Sequence, residues 1–301
     1  MMCAIIDIGS NSIRLSVYRT QGQTYKRLFS NKSMAGLAGY VLHGALTASG
    51  IACACQVLKE YKAILGNFEI DRTAVFATAS LRNISNTEEA VHTIEESSGF
   101  HIEVLSGYDE ALFGYYGAQA DCDFDLGTLI DIGGGSTEVV YFADREVKLA
   151  QSMPIGSLDL YTKHVSKLLP GTKECNRIRN LIKTTLNNEN IGIFPHCESI
   201  YGVGGTARAT VKLANRLNSL DSANRSITIS HLNELRKVLC GHDGEAQNLI
   251  LKTCPERIHT IIPGLLILDC IAKKLEAQRL TVSCCGVREG YLCQRIIAKH
   301  N

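Results

Sequence analysis

Short apolar runs alternate with amphipathic stretches along most of the chain. Residues 4–9, 13–19 and 23–31 have the composition of β-strands. Apolar residues recur at helical spacing from 47 to 65, and Thr47 is a typical residue to open that helix. Strands that alternate with helices predict an α/β fold. Further helices are predicted at 87–97, 106–119, 157–168, 172–187, 206–217, 232–240, 264–278 and 289–299, strands at 73–78, 102–105, 199–203 and 280–284, and a loop at 218–231.

One sequence phrase occurs twice, at residues 4–12 and 129–138. Each copy is an apolar strand that ends in Asp, then a turn of small residues, then a second apolar strand. Asp7 and Asp131 lie 124 residues apart. Two such hairpins suggest two related domains, each presenting backbone N–H groups from a turn. If the turns face each other across a cleft, they form a phosphate clamp, which indicates an enzyme that acts on a phosphoryl group.

Composition and length are those of an ordinary two-domain globular protein. The chain has 301 residues, 45% of them hydrophobic, with a mean hydropathy of +0.03. The longest apolar runs are too short for a membrane span. The polar link at 121–125 places the predicted boundary between domains 1–124 and 125–301, and the helix at 289–299 is expected to pack back on the first domain.

The distribution of charge bears on which partners the protein can bind, and the cysteines bear on the cellular compartment. The net charge of +1 is a balance of −5 over residues 1–125 and +6 over residues 126–301. A basic second half favours a polyanionic partner, although solvated helix faces explain it equally well. The 12 cysteines are scattered without zinc-site spacing, and the N-terminus lacks signal-peptide character. We therefore expect free, buried thiols in a cytoplasmic protein.

The second copy of the repeat has the residues better suited to binding phosphate and metal. Three consecutive glycines let the backbone approach a ligand closely and turn several N–H groups toward it. The next two residues add hydroxyl donors, and carboxylates at the two strand ends suit a hydrated Mg²⁺. We predict phosphate contacts from Gly133, Gly134, Gly135, Ser136 and Thr137, and metal contacts from Asp131 and Glu138.

The first copy carries small donors and a cation instead of glycines. Its aspartate, Asp7, corresponds to Asp131 and is predicted to be a metal ligand. A guanidinium group pairs well with phosphate oxygens, although an arginine on an alternating strand is also an ordinary surface residue. The residues of this copy predicted to contact phosphate are Ser10, Asn11, Ser12 and Arg14.

Three other segments are candidates for the same site. Arg82 follows a small-residue turn after a predicted strand and can supply a phosphate contact. Gly204 and Gly205 join a strand to a helix, whose N-terminus can bind an anion, although close packing explains the glycines equally well. Asp109 and Glu110 lie at the start of a predicted helix, whose dipole stabilises carboxylates there and explains both acids. The alternative is that one of them points into the cleft and acts as a base.

Taken in order, six segments resemble the Ppx/GppA family of exopolyphosphatases and guanosine pentaphosphate phosphohydrolases. This family is part of the actin–sugar kinase–Hsp70 superfamily, so the resemblance implies two ribonuclease-H-like α/β domains with an interdomain cleft. The chain length implies the short, two-domain form. The matching segments are residues 4–14, 77–83, 106–111, 131–138, 202–206 and 286–290.

The resemblance implies a Mg²⁺-dependent phosphohydrolase. Its substrate would be inorganic polyphosphate, cleaved at the terminal phosphate, or guanosine pentaphosphate, cleaved at the 5′-γ-phosphate. Glu110 would polarise the attacking water, Glu138 would assist with metal and water, and Arg82 would bind phosphate. A homodimer is compatible with the family, and neither a membrane nor a specific nucleic acid is expected as a partner.

Three positions depart from the family pattern and keep alternatives open. Gly36 and Asp159 stand where an arginine is frequent, and His259 stands where an aspartate is frequent. These departures put the choice of substrate in doubt. They also leave open a catalytically weak regulatory protein that binds polyphosphate or a nucleotide, and a kinase that uses ATP. The presence of Glu110 and Glu138 favours the hydrolase.

Overall fold

Two mixed β-sheets, built from different parts of the chain, organise the computed structural model, which describes residues 1–241 and 244–298. Internal contacts divide the chain into two units. The first contains residues 1–110 and the chain from Tyr291 onward, and the second contains residues 111–290. The predicted α/β class is confirmed. No helix in the described ranges is long and apolar enough to cross a bilayer.

The first unit has a five-stranded sheet in the order β3-β2-β1-β6-β7. Strands β1 to β3 pair antiparallel, whereas β6 and β7 continue the sheet in parallel. As predicted, Thr47 caps α1 by accepting a hydrogen bond from the Gly50 N–H. The elements are β1 (Met2–Ile8), β2 (Ile13–Gln21), β3 (Thr24–Ser33), β4 (Val41–Leu42), β5 (Ala45–Leu46), α1 (Ala48–Leu65), β6 (Arg72–Ala77), α2 (Ala79–Arg82), α3 (Thr87–Ser98), β7 (Ile102–Val104) and the start of α4 (Gly107–Gln119).

The second unit repeats this arrangement with a six-stranded sheet in the order β10-β9-β8-β11-β13-β12. An antiparallel hairpin again leads into parallel strands, and the apolar helix α10 lies in the core. The elements are β8 (Leu126–Ile132), β9 (Thr137–Ala143), β10 (Glu146–Met153), α5 (Ser157–His164), α6 (Thr172–Asn188), β11 (Ser199–Val203), α7 (Gly204–Leu217), β12 (Ser226–Thr228), α8 (Ile229–Cys240), α9 (Gly244–Thr253), α10 (Ile261–Lys274), β13 (Arg279–Val282) and α11 (Val287–Tyr291).

The contact boundary between the units falls earlier than the 124/125 boundary proposed from the sequence. Tyr115 and Phe124 stack against Phe142 of β9, with ring centroids 5.2 and 4.5 Å apart. Ala111 is buried in the same cluster. Because these side chains fill the core of the second unit, most of α4 and the link that follows it belong there.

The last described segment of the chain belongs to the first unit. After α11 a wider helical turn runs over Leu292–Ile297. The Tyr291 ring lies 5.0 Å from the Phe76 ring, and its hydroxyl donates to Glu103 at 2.7 Å. Of the helix predicted at 289–299, Lys299 lies outside the described residues.

Asp121 ties the link after α4 to the far edge of the second sheet. Its carboxylate accepts hydrogen bonds from the Cys284 N–H at 2.7 Å and the Ser283 hydroxyl at 3.0 Å, and it pairs with Arg225. Burial alone would raise the pKa of Asp121, but these donors outweigh it and lower the pKa below its ordinary value of 3.8.

Replacing Asp121 with asparagine should therefore cost about 1–3 kcal/mol of unfolding free energy at pH 7. A carboxyl whose pKa is lowered by folding stabilises the protein above its unfolded pKa, and this stabilisation is lost as the pH falls through the folded pKa. The difference from wild type should shrink below pH 3.8, which urea unfolding at several pH values will show. Asp123→Asn removes an exposed ion pair with Arg145 and should change little. Equal losses in both variants would contradict the prediction.

Candidate functional site

The two hairpins of the sequence repeat fold in the same way. The Gly9 N–H donates to the Ser12 carbonyl at 3.1 Å, and the Gly133 N–H donates to the Ser136 carbonyl at 2.9 Å. Each loop therefore has two central residues closed by one matching hydrogen bond. Because its N–H closes the turn, the donor of Gly133 is already used within the loop, and its predicted contact with phosphate stays a prediction.

The support beneath the hairpins is duplicated as well. The Ser80 hydroxyl donates to the Ile8 carbonyl at the end of β1, and the Thr206 hydroxyl donates at 2.9 Å to the Ile132 carbonyl at the end of β8. Both hydroxyls come from the helix that follows the neighbouring parallel strand. The repeat predicted from two short phrases thus extends through hairpin, parallel strand and helix start.

The carbonyls of the second loop are bound from beneath by helix α5. The Gly133 carbonyl accepts from the N–H and the hydroxyl of Ser157, both at 2.9 Å, and the Gly134 carbonyl accepts from the next two N–H groups of α5 at 3.0 Å. In a trans peptide the N–H points away from the carbonyl. The N–H groups of Gly134 and Gly135 therefore point away from α5, and they donate to no acceptor in the described chain. Adjacent donors of this kind have the geometry of an anion-binding nest.

The first loop is held in an equivalent manner. The Ser10 carbonyl accepts from the Ala38 N–H and the Asn11 carbonyl from the Gly36 N–H, each at 3.0 Å. The N–H groups of Asn11 and Ser12 consequently point away from that support. Gly36 has a left-handed backbone, with φ of 58°. Two of the departures from the family pattern, Gly36 and Asp159, thus lie in the segments that support the two loops.

Beside each loop, an aspartate on the first strand faces a charged residue on the second strand, and the charge of that second residue differs between the two copies. Asp7 lies opposite Arg14 on β1 and β2, whereas Asp131 lies opposite Glu138 on β8 and β9. Directly opposed residues share one face of an antiparallel pair. The first unit therefore offers an acid and a cation beside its loop, and the second offers two acids. Glu138 is buried and accepts a 2.8 Å hydrogen bond from the Ser152 hydroxyl.

The structure does not support the hydroxyl contact predicted for Thr137. Thr137 is fully buried, and its hydroxyl donates to the Ile155 carbonyl at 2.6 Å. A hydroxyl has one hydrogen to donate, so this group anchors the loop instead. Of the other predicted hydroxyl donors, Ser10 and Ser136 are buried, whereas Ser12 is half-buried.

The predicted base and one predicted phosphate ligand form a single unit. Arg82 Nη1 donates to Glu110 Oε2 at 2.8 Å and to the Leu105 carbonyl at 2.9 Å. The side chains are 18% and 10% exposed. Glu110 lies in the first turn of α4, so the ion pair and the helix both fix its carboxylate. Arg82 therefore positions Glu110, a role that the sequence did not indicate.

The glycines at the start of α7 allow close packing of two charged side chains. A Cβ atom at Gly204 would lie 2.2 Å from Asp131 Oδ1, and one at Gly205 would lie 1.6 Å from Arg257 Nη2. Gly204 also has a left-handed backbone, with φ of 74°. The helix start predicted to bind phosphate is therefore already occupied by Asp131 and Arg257, which favours the packing explanation of both glycines.

Two arginines near Asp131, Arg208 and Arg257, and a third near Arg208 were not predicted as site residues from the sequence. Arg208 Nη1 donates to the Ser283 carbonyl at 3.0 Å. Burial lowers the pKa of Arg208 and of Arg257, whereas the nearby Asp131 carboxylate acts in the opposite direction on both. Arg288 is close enough to lower the pKa of Arg208 further. The available signals in the sequence were that Arg208 follows two glycines, that Arg288 lies inside Gly286–Gly290 and that Arg257 lies two residues before His259, a departure from the family pattern.

Glycines of the Gly286–Gly290 segment serve close packing. Cβ atoms at Gly117 and Gly290 would lie 1.9 Å from the carbonyl oxygens of Gly286 and Phe113, respectively. Glu289 accepts a 3.0 Å hydrogen bond from the Gly286 N–H and so caps the start of α11. This motif brings α4 and α11 together backbone to backbone.

The predicted metal ligands form no three-ligand site. Among residues 1–241 and 244–298, no group of three or more His, Cys, Asp or Glu side chains is placed to hold a metal. Asp131 and Glu138 are nevertheless adjacent across two strands. Mg²⁺ is commonly bound by one or two carboxylates together with phosphate oxygens and water, so this pair fits it. All 12 cysteines are free thiols.

The duplicated hairpin presents adjacent N–H groups in each turn, a geometry suited to binding the oxygens of a phosphoryl group. The model of the Ppx/GppA phosphatase family matches residues 16–298, and the chain belongs to this family. It is a phosphohydrolase, as the sequence predicted. Exopolyphosphatase 1 of Mycobacterium leprae is 21% identical over 306 residues, covering 98% of this chain and 90% of that protein.

Solved structures show the same fold. A Ppx/GppA family member from Aquifex aeolicus aligns with a TM-score of 0.81 at 24% identity, covering 100% of this chain and 99% of that one. An exopolyphosphatase from Cytophaga hutchinsonii aligns with a TM-score of 0.85 at 22% identity, covering 97% and 96%. The α/β fold of this family, predicted from the resemblance, is therefore confirmed.

Proposed function

We propose that this chain releases the terminal phosphate of inorganic polyphosphate by hydrolysis, with Mg²⁺. Family membership supports hydrolysis of a phosphoryl group. Relatives named exopolyphosphatases, from Mycobacterium leprae and Cytophaga hutchinsonii, match nearly the whole chain and support the substrate. The observation that most strongly supports the proposal is the duplicated loop. In each copy, hydrogen bonds to the loop carbonyls turn two adjacent N–H groups away from the segment that donates those bonds.

Glu110 is proposed to accept a proton from the attacking water. Phosphoryl transfer depends mainly on positioning and on stabilisation of charge, so a water-orienting carboxylate must be held rigidly. The 2.8 Å bond from Arg82 and the position in the first turn of α4 provide that rigidity. The low exposure of the Glu110 side chain, 10%, limits competition from bulk water.

Asp131 and Glu138 are the residues proposed to hold Mg²⁺. Bound there, the ion would neutralise negative charge on the phosphate oxygens. The Ser152 hydroxyl orients the Glu138 carboxylate, and the backbone of Gly204 restricts the position of Asp131. The N–H groups of Gly134 and Gly135 would bind phosphate oxygens beside this pair.

Replacing Arg82 with alanine should lower kcat/KM for polyphosphate by roughly 10- to 100-fold, since a charge-assisted hydrogen bond to Glu110 is lost. The kcat/KM of Arg82→Lys should lie between those of wild type and Arg82→Ala, because lysine keeps the positive charge but not the planar guanidinium group. Steady-state phosphate release measures the effect, and Arg19→Ala, an exposed arginine on β2, is the matched control. Wild-type rates in Arg82→Ala would show that Arg82 does not position Glu110.

The proposed function is tested by phosphate release from short polyphosphate, long polyphosphate and guanosine pentaphosphate in parallel. Each substrate is measured with Mg²⁺ and with excess chelator. Mg²⁺-dependent release, fastest from polyphosphate, is expected. A higher kcat/KM with guanosine pentaphosphate would reassign the substrate. Tight binding without release from any of the three would instead identify a regulatory binding protein.

A further inference from the structure

Three basic side chains surround one buried carboxylate on helices α6, α8 and α10 of the second unit. Asp269 is fully buried. Its carboxylate oxygens lie 2.6 Å from Lys273 Nζ, 3.4 Å from Arg236 Nε and 4.0 Å from Arg179 Nη2. None of the four belongs to the hairpin loops or to the Asp131 cluster.

The positive charge of this group exceeds what Asp269 can neutralise. Three cations against one carboxylate leave an excess of +2, and Lys183, one turn beyond Arg179 on α6, raises it to +3. Burial and Asp269 raise the pKa of the Cys270 thiol, whereas Arg179, Lys183 and Lys273 act in the opposite direction. That thiol therefore lies among the same cations, and Lys183 is part of the group.

Two guanidinium donors in this group are unsatisfied. Among the residues that the structure describes, the Nε–H groups of Arg179 and Arg236 are buried and reach no acceptor with hydrogen-bond geometry. Buried donors without an acceptor are costly, and native proteins rarely leave them so. Both side chains retain some exposure, 26% and 19%, so a small ligand from solvent can reach their accessible atoms, although the Nε atoms themselves are buried.

We propose that Arg179, Lys183, Arg236 and Lys273 form a second oxyanion site for a phosphate-class ligand. Arginine forks match the geometry of phosphate oxygens, and lysine adds mobile positive charge. The ligand has two possible sources, free orthophosphate or internal phosphates of a polyphosphate chain. The second source rests on the proposed function.

Helix α10 connects this site to the support of the second hairpin loop. Gly264 packs against Thr206, with a Cβ position 2.4 Å from its Cγ2, and against Ser157. Asp269 lies five residues further along α10, about 7.5 Å along the helix axis. The second site is therefore on the same helix as the loop support, but more than one turn away from it.

Calorimetric titration of the full-length protein with orthophosphate and with tripolyphosphate, in chelator, tests the site. Wild type should show two classes of binding site, one at the hairpin loops and one here. Lys183→Gln should weaken one class about fivefold, since it removes an exposed charge-assisted contact. Asp269→Asn should tighten the same class, because it removes the competing carboxylate. Lys237→Gln removes an exposed charge from α8 and should change neither class.

Steady-state kinetics distinguish the two possible ligands of this site, free orthophosphate and a polyphosphate chain. A KM that rises in Lys183→Gln for long polyphosphate, but not for tripolyphosphate, identifies a chain-binding site. An effect on orthophosphate binding alone identifies a phosphate site. A single class of binding site in wild type, or binding in Lys183→Gln and Asp269→Asn equal to that in Lys237→Gln, would overturn the proposal. If the proposed function fails, phosphate release is absent in wild type while the second class of binding remains.

Discussion

Glu110→Gln should lower kcat for phosphate release by about 10²–10⁴-fold, the usual contribution of a positioned general base. Glutamine keeps the shape of the side chain and an oxygen that can accept the Arg82 hydrogen bond, so the local structure should persist. It cannot accept the proton of the attacking water. Substrate affinity should therefore remain close to that of wild type, because the loops that we propose to bind phosphate are unchanged.

The neighbouring Asp109→Asn is the matched control for Glu110→Gln. Asp109 lies in the same turn of α4, and its carboxylate accepts a 2.6 Å hydrogen bond from the Ser106 hydroxyl. Its loss should cost less than about threefold in kcat, consistent with a capping role worth under ~1 kcal/mol. Single-turnover rates and equilibrium binding should be measured for both variants. Substantial turnover in Glu110→Gln would remove Glu110 from the mechanism.

Gly156→Ala should lower kcat/KM by at least about 10²-fold, because it displaces the second hairpin loop. A Cβ atom at this position would lie 2.2 Å from the Gly134 carbonyl oxygen and 2.4 Å from the Gly135 nitrogen. These are backbone atoms, so no side-chain rotation relieves the clash. The loop must move or α5 must shift, and either change redirects the N–H groups that we expect to bind phosphate. Overpacking of this kind also costs about 1–3 kcal/mol of stability.

Gly192→Ala separates this effect from a general intolerance of glycine replacement. Its Cβ would meet only Lys274, at the ordinary contact distance of 3.8 Å. Rates with polyphosphate and unfolding midpoints should be compared in the two variants. A Gly156→Ala protein with the stability loss but normal kcat/KM would show that the loop is not required for phosphate binding.

Local signals in the sequence predicted most elements and the duplicated hairpin. Strand β11 matches its predicted range, and α1 begins after its predicted cap, because both depend on local apolar periodicity and capping. The loop predicted at 218–231 is partly wrong. Its end forms β12, and α8 begins at Ile229 because Thr228 caps it through the His231 N–H. A three-residue edge strand has too little periodicity to be detected.

The parts of the site that escaped prediction depend on contacts between distant segments. The sequence around Thr137 predicts an exposed hydroxyl donor, but the carbonyl of Ile155, 18 positions later, accepts its hydrogen bond. Arg257 reaches the glycine turn at Gly205 from a segment about 50 residues later in the chain. No local pattern reports which side chain will cover a given turn. The sequence could therefore predict the two hairpin loops, but not the groups that hold them.

The discontinuity of the first unit has a consequence for synthesis on the ribosome. The second unit is one continuous stretch, whereas the first needs the Tyr291 segment, which is translated after the whole of the second. Domains usually fold in the order in which they emerge. Here the first unit cannot bury Phe76 beneath Tyr291 until the whole of the second unit has left the exit tunnel. We therefore expect the nascent chain to complete its second half first and its N-terminal half last.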